Sequence, residues 1–398
     1  MSNARRIYLF QFFFMFLVIM PVIVPFFLSL GLSMRQVFEL QALFGVTVLL
    51  AEVPTGYIGD IWGRKNSIVM GALINALGFS ILPFATSYFH LLIFEITVGI
   101  GMSFVSGSDV SLLYDSVQGE REKSTKAIAN LQLALVSGES VAALLGGVLV
   151  AWGFAGVTWA NAVAAWIPFV VALGFQEPPT ERMSRDSHRK NFQEVFRHIF
   201  YSQDALLRLI FINWVVWSLA TFFAVWIHQN YWEALGVPLA YFGFLWAAYN
   251  LFVGIVGKQV HRAENRFGPV PLLVFLALTP VAGYLAMSFA SGYWAVLLAF
   301  PFSASRGVTQ VLLRDALNWR VPSRFRATAN SLHSFFFRLG FAVFGPGVGY
   351  LIDRFGMDFT LRVLGLSFLV LFAFVLWPLV RSLRSRRPAP TPPPAPNP

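Results

Sequence analysis

Apolar runs about as long as a bilayer crossing recur along the chain, separated by short segments where arginine, lysine, glycine and proline collect. Such a run spans a membrane as a helix, because the hydrocarbon core takes about 20 helical residues. Twelve spans are predicted, with cores at 7–30, 36–58, 67–86, 90–113, 126–151, 157–176, 205–230, 239–261, 269–290, 293–314, 327–351 and 359–380. Segments of about ten alternating residues, the mark of a membrane β-barrel, do not occur. The run from Ile7 to Leu30 follows a basic stretch, Ser2 to Arg6, but is too long for a signal peptide and carries no small-residue cleavage site. It reads as a retained first span. The fold class is an all-α membrane protein.

Charge sets the expected orientation. With the N-terminus inside, 24 of the 29 Lys and Arg fall in cytoplasmic segments, as the positive-inside bias requires. An even number of spans then puts both termini in the cytoplasm, in the cell (inner or plasma) membrane. Composition agrees: 57% of residues are hydrophobic and 12% charged. A net charge of +10 would suggest nucleic acid in a soluble protein; here the positive-inside bias accounts for it, and no nucleic-acid partner is expected. There are no cysteines, so no disulfide and no thiolate metal site.

The chain also repeats. Leu112 to Gln118 parallels Leu312 to Asn318, Lys126 to Asn130 parallels Arg326 to Asn330, and Gly147-Val148 parallels Gly347-Val348, all at one 200-residue offset. Two similar six-helix halves are predicted, 1–176 and 205–381, with a solute site between them. The joining segment, 177–204, carries Phe192, Val195, Phe196, Ile199 and Phe200 at helical spacing, which predicts an amphipathic helix on the inner leaflet; a partner-binding helix is the alternative. Residues 382–398, rich in proline, are expected to form a disordered cytoplasmic tail.

The segment between the second and third spans reads Gly56-Tyr-Ile-Gly-Asp60-Ile-Trp-Gly63-Arg64-Lys65-Asn-Ser-Ile68. It resembles the loop 2–3 signature of the major facilitator superfamily. Gly63 permits a sharp reversal. Asp60 lies near a helix C-terminus, where the dipole disfavours an anion, and so wants a cation or another helix's N-terminus. An ordinary charged hairpin is the plain alternative. The resemblance implies two six-helix bundles moving by alternating access, with Gly56, Asp60, Gly63, Arg64, Lys65, Asp115 and Asp315 as a gate motif. Asp115 would pair with Arg64 or Arg121, and Asp315 with Arg262 or Arg266. Gly257-Lys258 to Gly268 echoes the signature weakly. Gly138 to Gly147 is similar to the antiporter signature of the fifth span, with Ala142 and Ala143 in place of Gly-Pro. Glu95-x-x-x-Gly99-x-Gly101 is similar to the drug/proton antiporter motif of the fourth, with Glu95 in place of arginine.

Ionisable groups inside spans are costly and are functional candidates by default. Glu139, Glu95 and Glu52 are the proton-coupling candidates; an ion pair of Glu139 with an arginine is the structural alternative. Arg306, Arg338, His228, Trp217 and His333 are the cavity candidates, the histidines also reading as helix-packing residues. Glu52, Gly56 and Asp60 share one helix face; the resemblance implies that this face meets the eleventh span on the cytoplasmic side, and so that Glu52 meets His333 or Arg338 when the inner gate closes.

The expected function is secondary active transport of a small, amphipathic organic solute, by proton-coupled efflux. The alternatives are a proton-coupled importer of an anionic metabolite held by Arg306 and Arg338, or a non-transporting membrane scaffold. No nucleotide loop, nucleophile motif or metal-spaced cluster appears, so neither an enzyme nor a cofactor is expected, and the proton gradient is the energy source. The expected partners are the solute and the bilayer, and the expected state is monomeric.

Overall fold

The computed structural model describes residues 3–116, 121–177, 194–201, 204–322 and 325–385. Among these, eleven helical stretches are long and apolar enough to cross a membrane, beside a shorter apolar helix near the N-terminus. Together they make the twelve spans the apolar runs predict, numbered here in chain order. The tail beyond residue 385 and most of the joining segment lie outside the described residues.

The first span is not one helix. It comprises Asn3–Phe14 and Ile23–Ser29, with a short 3-10 turn, Met20–Val22, between them. Exposed peptide groups are intolerable at membrane depth unless protein satisfies them. Gln229 and Asn161 do this. Gln229 Nε2 donates to Met20 O at 2.9 Å, Val24 N donates to Gln229 Oε1 at 3.0 Å, and Ile19 N donates to Asn161 Oδ1 at 3.1 Å. The fifth span, Arg121–Leu149, comes close enough to support this break because Gly138 and Gly146 lie against the backbone carbonyls of Phe12 and Val18.

The second span (Met34–Trp62) turns at Gly63, whose φ of 92° suits glycine, into the third (Arg64–Phe79). The fourth is interrupted between Tyr88–Val105 and Ser108–Ser116, and the sixth between Phe154–Ala164 and Trp166–Leu173. In the second half the long elements are the seventh (Ala205–Ala234), eighth (Phe242–Phe267), ninth (Pro269–Met287), tenth (Phe300–Arg320) and eleventh (Arg326–Phe355) spans. The twelfth runs from Met357 to Ser385 through a π-helical turn at Phe372–Leu376. There Val375 O, freed from the regular ladder, accepts from Asn213 Nδ2 at 2.9 Å.

Residues 194–201 are helical, as their periodicity predicts. Part of their apolar face is turned into the second half. Val195 and Ile199 are fully buried, and Phe200 packs edge-on against Phe211 of the seventh span and beside Phe336 of the eleventh. The helix packs on the second half.

The bundle has a basic end, where Arg6, the Gly63 turn and Arg326 lie, and a far end, where Arg35, Gly153 and Gly356 lie. One apolar core runs through the second half and continues across the far-end portions of the first. A separate core, with Ile7, Phe10, Ile68, Leu112 and Phe175, fills the basic end of the first half alone. The halves are fused at one end and apart at the other.

Candidate functional site: the seam between the halves

Four helices make most of the seam, and Gln229 of the seventh span adds its bonds to the first. The second meets the eleventh, and the fifth meets the eighth. At the far end Asp353 accepts hydrogen bonds from the backbone N–H groups of Met34 and Arg35 at 2.9 and 2.8 Å. Phe38 stacks on Phe341 with ring centroids 5.7 Å apart. Gly349 and Gly243 allow this approach: a Cβ on Gly349 would lie 2.6 Å from Arg35 Cα, and one on Gly243 would strike Ala143 O.

Deeper in the seam, Glu139 of the fifth span reaches across. Its Oε1 accepts from Asn250 Nδ2 at 2.7 Å and from Trp246 Nε1 at 3.1 Å, both on the eighth span. Among the described residues no arginine pairs with it, as the structural alternative would require; neutral donors of the other half hold it instead. Opposite, on the second and eleventh spans, a Cβ on Gly45 would lie 3.8 Å from Arg338 Cβ, and the Arg338 guanidinium sits 5.9 Å from the Phe44 ring. Arg338 Nε donates to Ser334 Oγ at 3.3 Å. Glu52 is near enough for its charge to act on Arg338, but among the described residues no ion pair closes between Glu52 and Arg338 or His333. His333 stacks flat on Trp214, 3.5 Å between centroids.

Below this level the seam opens. Gly56 on the second span and Gly254 on the eighth have nothing within 4 Å of where a Cβ would stand. Among the described residues no hydrogen bond joins the halves nearer the basic end than Glu139. The expected contact of Glu52 with His333 or Arg338 is not made among the described residues.

The other candidates divide. Glu95 is 3% exposed and accepts from Gln41 Nε2 at 2.7 Å, within the first half. Arg306 lies beside the Tyr249 hydroxyl in the second half. Trp217 is fully buried, donating to Asn213 Oδ1 at 3.0 Å, so it lines no open space. His228 is 2% exposed inside a cluster with Trp232, Tyr249 and Phe302; it packs helices, the plainer of its two readings. Asp315 corrects another expectation: its carboxylate lies 3.4 Å from His261 Nε2, not against Arg262 or Arg266. The side chains of Asp60 and Asp115 lie outside the described set.

The Gly63 turn has a partner that was not anticipated. Glu177, at the end of the first half, accepts from the backbone N–H groups of Arg64 and Lys65 at 2.8 and 2.7 Å. A carboxylate there caps the third span and complements its dipole. A Cβ on Gly63 would fall 2.7 Å from the Glu177 carboxylate, a second reason for glycine. Arg64 also donates to Ser111 O at 3.1 Å, so the turn is tied to the fourth span. Gln11, near Asp109, Gln229, Gln41 and Asn250 were likewise missed. Uncharged amides inside apolar runs give no warning in a charge-based search.

Halves fused at one end, with a buried polar seam, are the arrangement of a solute carrier, and sequence comparison names which kind. The profile of the Major Facilitator Superfamily matches residues 7–345. The chain belongs to the Major Facilitator Superfamily. The transporter is 24% identical over 357 residues to the MFS-type transporter YuxJ of Bacillus subtilis (strain 168), covering 86% of this chain and 88% of that one. It is 24% identical over 289 residues to the multidrug resistance protein MdtG of Proteus mirabilis (strain HI4320), covering 70% of each. Among solved structures it is similar to the nucleoside transporter NupG (TM-score 0.78, 10% identity, 95% and 99% coverage). It is also similar to a D-xylose–proton symporter (0.68, 16%, 94% and 96%). A third likeness is to a bacterial homologue of the human lysosomal transporter Spinster, solved inward-facing and unoccupied (0.73, 17%, 98% and 98%). At these identities the structures share the fold.

Proposed function

We propose that the transporter exports a small, amphipathic organic solute in exchange for protons, by alternating access, with the basic end in the cytoplasm. The observation that carries the reading is the seam: closed at the far end, open at the basic end, and crossed midway by one carboxylate held by the opposite half. On this reading the conformation is inward-facing, and the gap between Gly56 and Gly254 is the cytoplasmic mouth.

Glu139 is the proposed coupling group. Ionised, it accepts two hydrogen bonds from the eighth span, and a charged acceptor strengthens both. Protonated, it loses that charge and loosens its hold on the other half, so proton occupancy and the far-end seam are linked. Arg338, the Phe44 ring and the His333–Trp214 stack offer a cation and flat apolar faces to a bound solute. MdtG, a multidrug resistance protein by name, lends weight to export of amphipathic compounds. The proton gradient is the proposed energy source, with no cofactor.

Direction is tested in cells. Dissipating the proton gradient raises accumulation of an exported fluorescent amphiphile and lowers accumulation of an imported one. Uptake driven by an inward gradient overturns the export reading. In that case the second reading, import of an anionic metabolite, has Arg338 in its favour: its guanidinium is bonded to a neutral hydroxyl and packs on a ring, leaving room to receive an anion.

A further inference from the structure

We propose that Asp353 is the far-end gating residue of the transport cycle, a carboxylate latch that closes the outer mouth by capping the N-terminus of the second span. The proposal rests on the alternating-access reading above.

The first four N–H groups of a helix have no partner within it. At the second span the account is complete. Ser33 Oγ accepts from Gln36 N at 3.3 Å, and Ser33 N donates to Gln36 Oε1 at 3.0 Å. The remaining two donors, on Met34 and Arg35, both go to Asp353 of the other half. One carboxylate oxygen serves each. The anion also lies at the positive end of the second span's dipole and at the unfavourable end of its own helix, the eleventh. The bond across the seam relieves that. Parting the halves at this end hands two helix donors and one carboxylate back to water together.

The sequence contains the same device twice. Gly56-Tyr57-Ile58-Gly59-Asp60-Ile61-Trp62-Gly63 ends the second span, and Gly349-Tyr350-Leu351-Ile352-Asp353-Arg354-Phe355-Gly356 ends the eleventh. Gly, Tyr, Asp, an aromatic residue and Gly recur in register. Both closing glycines have positive φ, 92° and 85°. The two helices run antiparallel, so the C-terminus of each faces the N-terminus of the other. Asp353 is therefore the counterpart of Asp60 at the opposite mouth. The two latches cannot engage together, and the conformation seen has the far one closed. Gly349 supports the latch one turn away, since its bare Cα lets the Arg35 backbone approach.

The native chain has no cysteine, so spin labels go where they are placed. One pair, Phe89→Cys with Phe359→Cys, reports the far end; another, Tyr114→Cys with Trp319→Cys, reports the basic end. All four are exposed. Distance distributions in nanodiscs are recorded for the native background and for Asp353→Asn, Asp353→Ser and Gly349→Val. Asp353→Asn raises the ratio of far-end-open to far-end-closed molecules by about tenfold. Asp353→Ser, whose shorter neutral side chain reaches the two donors less well than the isosteric amide, raises the ratio at least as far, and Gly349→Val shifts the ratio the same way by sterics. If either Asp353 variant fails to fold, the other and Gly349→Val carry the test. Two populations that the Asp353 variants leave at native proportions overturn the latch while alternating access stands. A single population in every variant overturns both.

Discussion

At the residue scale the decisive contact is Glu139 Oε1 with Asn250 and Trp246. Glu139→Gln keeps the shape and removes the charge, so proton-driven efflux in inside-out vesicles falls at least tenfold while the protein stays folded. Glu139→Ala leaves two donors without an acceptor and lowers unfolding free energy by about 1–3 kcal/mol, read from denaturation in detergent. Full efflux by Glu139→Gln removes it from coupling. Glu139, Glu95 and Glu52 were legible in the sequence because a carboxylate inside an apolar run is rare and costly. Their partners were not. Gln41, Asn250 and Trp246 carry no charge and reveal their roles only when helices distant in sequence are brought together. Trp217 misled for the same reason: a polar-aromatic residue on a helix looks the same whether it faces a cavity or, as here, a packed core.

At the element scale, hydropathy predicted that 7–30 spans and not that it breaks. Pro21 and Pro25 stood in the run, but an average over apolar side chains does not register backbone. The break survives because Gln229 bonds both strands of it, accepting from Val24 N and donating to Met20 O. Gln229→Leu orphans a donor and an acceptor at membrane depth and destabilises the protein by about 2 kcal/mol or more. Gln229→Glu keeps the acceptor and falls between, with the order native, Glu, Leu read from melting in detergent. Equal melting of all three would show that the break needs no support from the seventh span. The 194–201 helix teaches the complementary lesson. Its periodicity gave one apolar face, and a periodicity cannot say whether lipid or Phe211 and Phe336 will cover it.

At the scale of the whole molecule, the repeat and the apolar runs carried the architecture, while the conformation was not written in either. It can be read from two pairs of glycines. On the second span Gly45 and Gly56 stand eleven residues apart, as do Gly243 and Gly254 on the eighth. Eleven residues make about three turns, so each pair shares a face, its members about 16 Å apart. The far-end member of each pair is in contact with the opposite half, and the basic-end member is uncovered. Asn250, which bonds Glu139, lies one turn before Gly254 on that face, so Gly254 faces the fifth span whenever the basic end shuts. Gly243→Val and Gly254→Val should therefore act in opposite directions. The first drives a side chain into the Ala143 carbonyl, opens the far end and exposes it to a thiol reagent added from outside, at a cysteine placed at Phe38. The second leaves the conformation seen here unstrained and blocks its alternative, so that cysteine stays protected and net transport stops. Both variants labelling at the native rate would mean that the eighth span does not alternate between two closures against the fifth, and that the seam between them is a fixed wall.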